Sequence, residues 1–142
     1  MNIIEITEFS EEILTAVNGL LPQLSSSALP LTDVSLRKII QSESSYLLMA
    51  EEDGQFYGSL SLVVFVIPTG TRAWIEDVVV SEDSRGRGVG RLISERAVDL
   101  AIQLGAKTID LTSRPSRVIA NNLYKKIGFV QRETNIYRYK ES

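Results

Sequence analysis

Apolar residues first recur at helical spacing in Phe9, Ile13, Val17 and Leu20, with Ser10 placed to cap the start. The pattern lapses from Pro22 to Thr32, where two prolines and a serine cluster predict a loop. A short second helix carries Val34, Ile39 and Ile40 and takes Thr32 or Asp33 as its cap. The chain then changes to strand-like runs. Tyr46–Glu51 is apolar, Asp53-Gly54 turns the chain, and Gln55–Ile67 continues, which predicts a hairpin. Pro68-Thr69-Gly70 is a second turn and Ala73–Val80 a further strand. Its last residues, Val78, Val79 and Val80, predict burial on both faces. After Ser81–Arg87 comes the clearest helix, with Val89, Leu92, Ile93, Ala97, Leu100, Ala101 and Leu104 on one face and Gly105 at its end. A short strand at Lys107–Thr112, a helix at Ser116–Ile127 closed by Gly128, and a last strand at Phe129–Lys140 complete the pattern. The order β-α-α-β-β-β-α-β-α-β predicts a mixed α/β domain around a central hairpin sheet, not an alternating dinucleotide fold.

The 142 residues suit one domain, 1–142. Composition narrows the chemistry sharply. The chain has no cysteine and no histidine. Disulfides, thiol nucleophiles and histidine-based triads are excluded, and no metal is expected. Proton transfer near neutral pH falls to carboxylate, tyrosine, lysine, a terminus or water. The net charge of −3 argues against nucleic-acid partners. The longest apolar run, Leu62–Ile67, is far short of the roughly 20 residues that span a bilayer, and the acidic start lacks a signal-peptide pattern. No membrane partner and a cytoplasmic location are therefore expected.

The sharpest local feature is Arg85-Gly86-Arg87-Gly88-Val89-Gly90-Arg91, between a strand and the strongest helix. Glycines allow unusual backbone conformations, and a helix start offers free N–H groups and a positive dipole end. With three arginines around it, the turn predicts a seat for phosphate or pyrophosphate. It is neither a P-loop nor a Gly-x-Gly-x-x-Gly fingerprint.

Arg85-x-x-Gly88-x-Gly90 resembles the acetyl-CoA pyrophosphate loop of GNAT-superfamily N-acetyltransferases, Gln/Arg-x-x-Gly-x-Gly/Ala. Ala120-Asn121-Asn122-Leu123-Tyr124-Lys125-Lys126-Ile127-Gly128-Phe129 is similar to that family's Ala-x-x-Leu-Tyr-x-Lys-x-Gly-Phe stretch. The two come in the family's order and separation. Trp74–Val80 is similar to the matching strand of glucosamine-phosphate acetyltransferases, one branch only. One departure is Arg117, where many members have Asn seven residues before the motif tyrosine; Asn121 is the candidate replacement.

The resemblance implies a GNAT fold with a mixed, mostly antiparallel sheet flanked by helices. It implies direct acetyl transfer from acetyl-CoA, without metal, to an amine of a small molecule or peptide. Family members are often dimers, so a homodimer is one expectation. The reaction needs a base for the amine, a donor for the oxyanion and an acid for the departing thiolate. Glu76 interrupts an apolar strand and is the candidate base, directly or through water; a structural ion pair is the competing reading. Alternation puts Trp74, Glu76 and Val78 on one face and Ile75, Asp77 and Val79 on the other, with Asp77 read as structural. Tyr124 is the candidate acid, against a reading as a core aromatic. The backbone of Val78, Val79 and Val80 would hold the pantetheine arm. Arg114 and Arg117 are either a solvated helix start or contacts to an anion. Tyr137, Arg138 and Tyr139 are expected to alternate between core and surface. Two other functions fit the residues: a CoA-binding sensor or regulatory module without turnover, and a nucleotide-binding domain built on the glycine turn.

Overall fold

Ser10 opens the first helix as the pattern requires, its hydroxyl accepting from the Ile13 amide at 3.1 Å. The computed structural model describes residues 1–141. In chain order they form β1 (Asn2–Glu5), α1 (Glu11–Leu24), α2 (Asp33–Gln41), β2 (Ser45–Glu52), β3 (Gln55–Ile67), β4 (Gly70–Val80), α3 (Val89–Gln103), β5 (Thr108–Leu111) and α4 (Val118–Ile127). Helix α1 runs two residues past Pro22, which was expected to begin the loop. A proline lacks only its own N–H there, and the Ser25 amide closes the end on the Leu21 carbonyl at 3.0 Å. Thr32 caps α2, accepting from the Ser35 amide. Asp53 and Gly54 both take positive φ, 52° and 80°, as a tight primed hairpin turn demands.

The chain separates into two compact units, Met1–Thr112 and Ser113–Ser142. The first is an open sheet in the order β1-β2-β3-β4-β5, antiparallel except for the parallel β4–β5 pair. One face packs on α1 and α2, where Ile13, Val17, Leu20 and Leu36 meet Leu47, Met49 and Val79. The other face carries Leu48, Leu60, Leu62 and Ile75 and is covered by α3, which packs on β3, β4 and β2. Helix α3 buries Val89, Ile93, Ala97, Leu100 and Ala101 as expected, but not Leu92 or Leu104. Leu92 lies off the buried stripe, Leu104 follows the helix's last residue, and Ser94 takes a buried place instead.

The second unit holds α4, ended by Gly128 at φ 117°, where the Phe129 amide reaches the Tyr124 carbonyl at 2.9 Å. The strand expected at Phe129–Lys140 is absent. Apart from half-buried Phe129, its apolar residues Val130, Ile136, Tyr137 and Tyr139 are exposed, so Tyr137 and Tyr139 do not alternate with a core. Alternating side chains without a hydrogen-bonding neighbour do not make a strand. No helix among the described residues is long and apolar enough to cross a membrane.

Leu60→Ala should lose about 2–5 kcal/mol, because Leu60 is fully buried in a central strand. Leu92→Ala should lose under about 1 kcal/mol, since Leu92 is 43% exposed. Urea unfolding of both variants checks this; equal losses would contradict the assignment of the buried helix face.

Candidate active site

Strand β4 changes character halfway along. Its register against β3 is regular from Gly70 to Glu76, then slips by one residue between the pairs Ser61–Glu76 and Ser59–Val79. Asp77 and Val78 therefore oppose the single residue Leu60, and Asp77 takes left-handed backbone, φ 50°. Asp tolerates that region better than most residues but still carries strain, roughly 1–3 kcal/mol. The slip overturns the expected alternation. Ile75 pairs with Leu62 on the α3 face, whereas Val79 pairs with Ser59 on the α1–α2 face. Glu76 and Val79 thus share a face.

Strand β5 pairs with β4 only as far as Ile75–Leu111. Within the sheet, the backbone of Glu76 to Val80 is left without a strand on that side. Unpaired strand edges accept an extended ligand by main-chain hydrogen bonds. Val79 is buried among the α1–α2 residues, and Val78 and Val80 are half-buried, so these side chains pack while their backbone lines the opening. Glu76 and Asp77 are both exposed, and neither forms an ion pair or side-chain hydrogen bond with another described residue.

A single 3-10 turn, Glu82–Ser84, leads from β4 to the glycine turn. Gly86 and Gly88 have φ of 83° and 75°, and Gly88 caps α3. Gly90 is helical, so only two of the three glycines use left-handed freedom. The amides of Gly86, Gly88, Val89, Gly90 and Arg91 find no backbone acceptor among the described residues. Val89 itself is 1% exposed and packs beside Gly58, so only its amide is available to a ligand. A Cβ at Gly86 or Gly88 would meet nothing within 4 Å, which leaves room above the turn.

The three arginines are all engaged by glutamates: Arg85 with Glu82 at 3.8 Å, Arg91 with Glu95 at 2.7 Å, and Arg87 with Glu52. Arg87 also lies over the Tyr57 ring, 4.9 Å from its centre. Arg87, and after it the terminal ammonium of Met1, hold the Glu52 carboxyl below its ordinary range. The Arg87–Glu52 pair joins residues 35 positions apart, which no local sequence signal gives.

In the second unit, Tyr124 is buried, with the Phe129 ring edge-on at 5.9 Å. Burial raises its phenol above the ordinary range, while the Arg117 guanidinium pulls the other way. Asn121 donates to the Arg114 carbonyl at 3.0 Å, and its amide reaches the Arg117 carbonyl at 2.9 Å, so it closes the turn before α4.

A cavity of about 100 Å³ lies on the α1–α2 face at the slip in β4. Leu20, Leu24, Leu31, Ile39 and Leu47 are among its apolar walls, and Asp77, Ser59 and Ser61 are its polar ones. Asp77, read from the sequence as structural, is thus a functional candidate. A Gly-tolerant residue type inside a β-rich run was the available signal. A wider groove of about 570 Å³ lies between α1 and the ends of β3 and β4. Its acidic lining, Glu11, Glu12 and Asp83, disfavours a phosphate.

A family model described as the acetyltransferase (GNAT) family matches residues 15–129. Glucosamine 6-phosphate N-acetyltransferase 1 of Oryza sativa subsp. japonica is 30% identical over 131 residues, covering 85% of this chain and 77% of that protein. A solved candidate acetyltransferase from Agrobacterium tumefaciens superposes with a TM-score of 0.88 at 22% identity, over 99% of this chain and 100% of that one. An aminoglycoside N-acetyltransferase solved in complex with CoA gives a TM-score of 0.82 at 19% identity, over 99% and 95%. The slipped strand, the opened sheet edge and the glycine-capped helix therefore stand in a chain that belongs to the GNAT family of acetyltransferases.

Proposed function

We propose that this protein transfers the acetyl group of acetyl-CoA directly to an amine. The observation that carries this is the run of unpartnered amides at Gly86, Gly88, Val89, Gly90 and Arg91, beside the open half of β4. Amides at a helix start suit a pyrophosphate, and an open strand edge suits the amide-bearing pantetheine arm. That a structural neighbour is solved with CoA supports the donor. Named relatives act on glucosamine 6-phosphate and on aminoglycosides, which supports an amine acceptor. The family match runs across both compact units, which supports treating 1–142 as one N-acetyltransferase domain.

When bound, acetyl-CoA supplies an activated acyl group on a thioester. The chain's residues do the rest. The backbone of Val78 to Val80 binds the donor's arm, and one of its amides faces the carbonyl oxygen. Arg85, Arg87 and Arg91 exchange glutamate partners for phosphate. Glu76, exposed and unpaired, takes the proton from the attacking amine, directly or through water. As the nitrogen–carbon bond forms and the carbon–sulfur bond breaks, Tyr124 gives its proton to the sulfur. Its phenol, raised above the ordinary range by burial, carries that proton at neutral pH as an ordinary phenol would. Glu76 then releases its proton to solvent and Tyr124 regains one from it, which restores both side chains and leaves an N-acetylated amine and CoA as products.

Gly88→Asp should abolish acetyl-CoA binding, whereas Gly88→Asn, which also tolerates φ 75° but carries no charge, should weaken it modestly. Isothermal titration of both variants checks this; equal binding by wild type and Gly88→Asp would remove the turn from the site.

Glu76→Gln should lower turnover by about 10²–10⁴-fold near neutral pH with acetyl-CoA binding kept, and the loss should shrink as the pH rises towards the amine's pKa. Full activity would leave water alone as base.

Tyr124→Phe should lower turnover by at least about tenfold. It has a second readout. The folded-state pKa of Tyr124 lies above the unfolded value near 10, so its stability contribution is complete below pH 10 and lost as the pH rises through the folded value. Denaturant unfolding between pH 9 and 11 should show a shallower alkaline decline in Tyr124→Phe than in wild type. An unchanged decline would contradict the burial of a protonated phenol.

A further inference from the structure

We propose that the cavity at the slip in β4 is the acceptor seat, and that it takes a primary amine on a short apolar group bearing no anion. The inference rests on the acetyl-transfer reading for the reaction and adds the chemistry of the acceptor.

The position comes from the register. Ser61 pairs with Glu76 and Ser59 with Val79, and both serines line the cavity with Asp77. The cavity's polar end thus lies at the level of β4 where the strand's open half begins, on the α1–α2 face. A group seated there touches Val79, whose backbone is assigned to the donor's arm, on the face that Glu76 shares.

The chemistry comes from the lining. Among the described lining residues Asp77 is the one charged side chain, and Ser59 and Ser61 are the other polar ones. A cation leaving water needs an opposite charge or hydrogen bonds, and Asp77 with two hydroxyls supplies both. A phosphate or carboxylate would meet Asp77 with no lysine or arginine to offset it. Beyond this polar end the walls are leucine, isoleucine and valine, which reward carbon and not hydroxyl groups. The volume, about 100 Å³, is small beside the usual ~300–1,000 Å³ of ligand pockets. It suits a short chain or one small ring, not a multi-ring aminocyclitol. The outer wall is fixed in advance: Asn18 accepts from the Leu31 amide at 2.7 Å and donates to the Leu31 carbonyl at 3.1 Å. The seat is therefore preformed, and little ordering is needed on binding.

The test uses the full chain, saturating acetyl-CoA and the straight-chain primary amines from propyl to hexyl. Their nitrogens have nearly equal basicity, so rate differences report the carbon chain. Each added methylene should raise kcat/KM about fourfold until the cavity is full, the factor that about 0.8 kcal/mol per buried methylene gives. Glucosamine 6-phosphate should lie about tenfold or more below the best of them. Leu31→Trp, which fills the wall, should flatten the chain-length rise and leave the thermal shift by acetyl-CoA unchanged. Should that variant fail to fold, the wild-type series decides alone. Asp77→Asn should narrow the gap between alkylamine and phosphorylated sugar. If acetyl-CoA stabilises the protein but rates ignore chain length, or no alkylamine is acetylated, or the phosphorylated sugar is the best acceptor, the inference is overturned and the acetyl-transfer reading stands. If acetyl-CoA gives no thermal shift and no amine is acetylated, that reading fails and takes the inference with it.

Discussion

A single extra residue in β4 sets up the chemistry of this protein. Strands β3 and β4 are matched residue for residue up to Glu76, and Asp77 then takes a left-handed conformation so that two residues oppose Leu60. Without the slip, alternation would keep Ile75 and Val79 on one face. With it, Val79 packs under α1 and α2, and Glu76 shares its side of the sheet. Asp77 turns into the small cavity there. Bulges twist and redirect strands in this way and often stand beside active sites. Because β5 ends at Leu111, the redirected half of β4 also keeps a free hydrogen-bonding edge. The strain at Asp77 is the cost of placing carboxylates, backbone amides and an apolar hollow within a few residues of one another.

The glycine turn works on a different principle. Its backbone is committed: Gly86 and Gly88 hold left-handed angles, and five successive or near-successive amides lack backbone acceptors. Its side-chain charge is not, because each arginine of the turn rests on a glutamate. Exposed pairs of this kind contribute little to stability, so exchanging them for phosphate oxygens is inexpensive. The fixed amides set where an anion sits, and the arginines supply a reserve of charge that is drawn in when it arrives.

Much of this was legible in the sequence. Caps such as Ser10 and Thr32, the Asp53-Gly54 turn and the glycine run are local signals, and the structure places them as read. The fold class followed from the order of elements. What escaped has a common cause, since it depends on partners distant in sequence. Alternation along β4 failed because a register slip is a property of two strands, not one. Arg87 was read only as charge around the anion seat, because its partner Glu52 sits far off in sequence, on β2. Leu92 and Leu104 were read onto one helical face, but Leu92 points off the buried stripe and the helix ends at Gln103, before Leu104. The strand expected after Phe129 had the right residues, but residue type alone does not make a strand and none forms there. Tyr124 was legible as a buried phenol on a helix, and Asn121 proved to hold its own turn.

The central claim is that the freed edge of β4 and the turn at Gly86 to Arg91 form one binding surface for acetyl-CoA. Residue-resolved amide exchange, with and without saturating acetyl-CoA, tests it most directly. Free amides exchange quickly and become protected when a ligand accepts their hydrogen bonds. The account predicts that Val78 to Val80 and Gly86 to Arg91 slow together, and by more than the uniform slowing that ligand stabilisation gives the Leu47 and Leu48 amides of β2. Protection confined to other segments, with both of these unchanged at saturation, would contradict it.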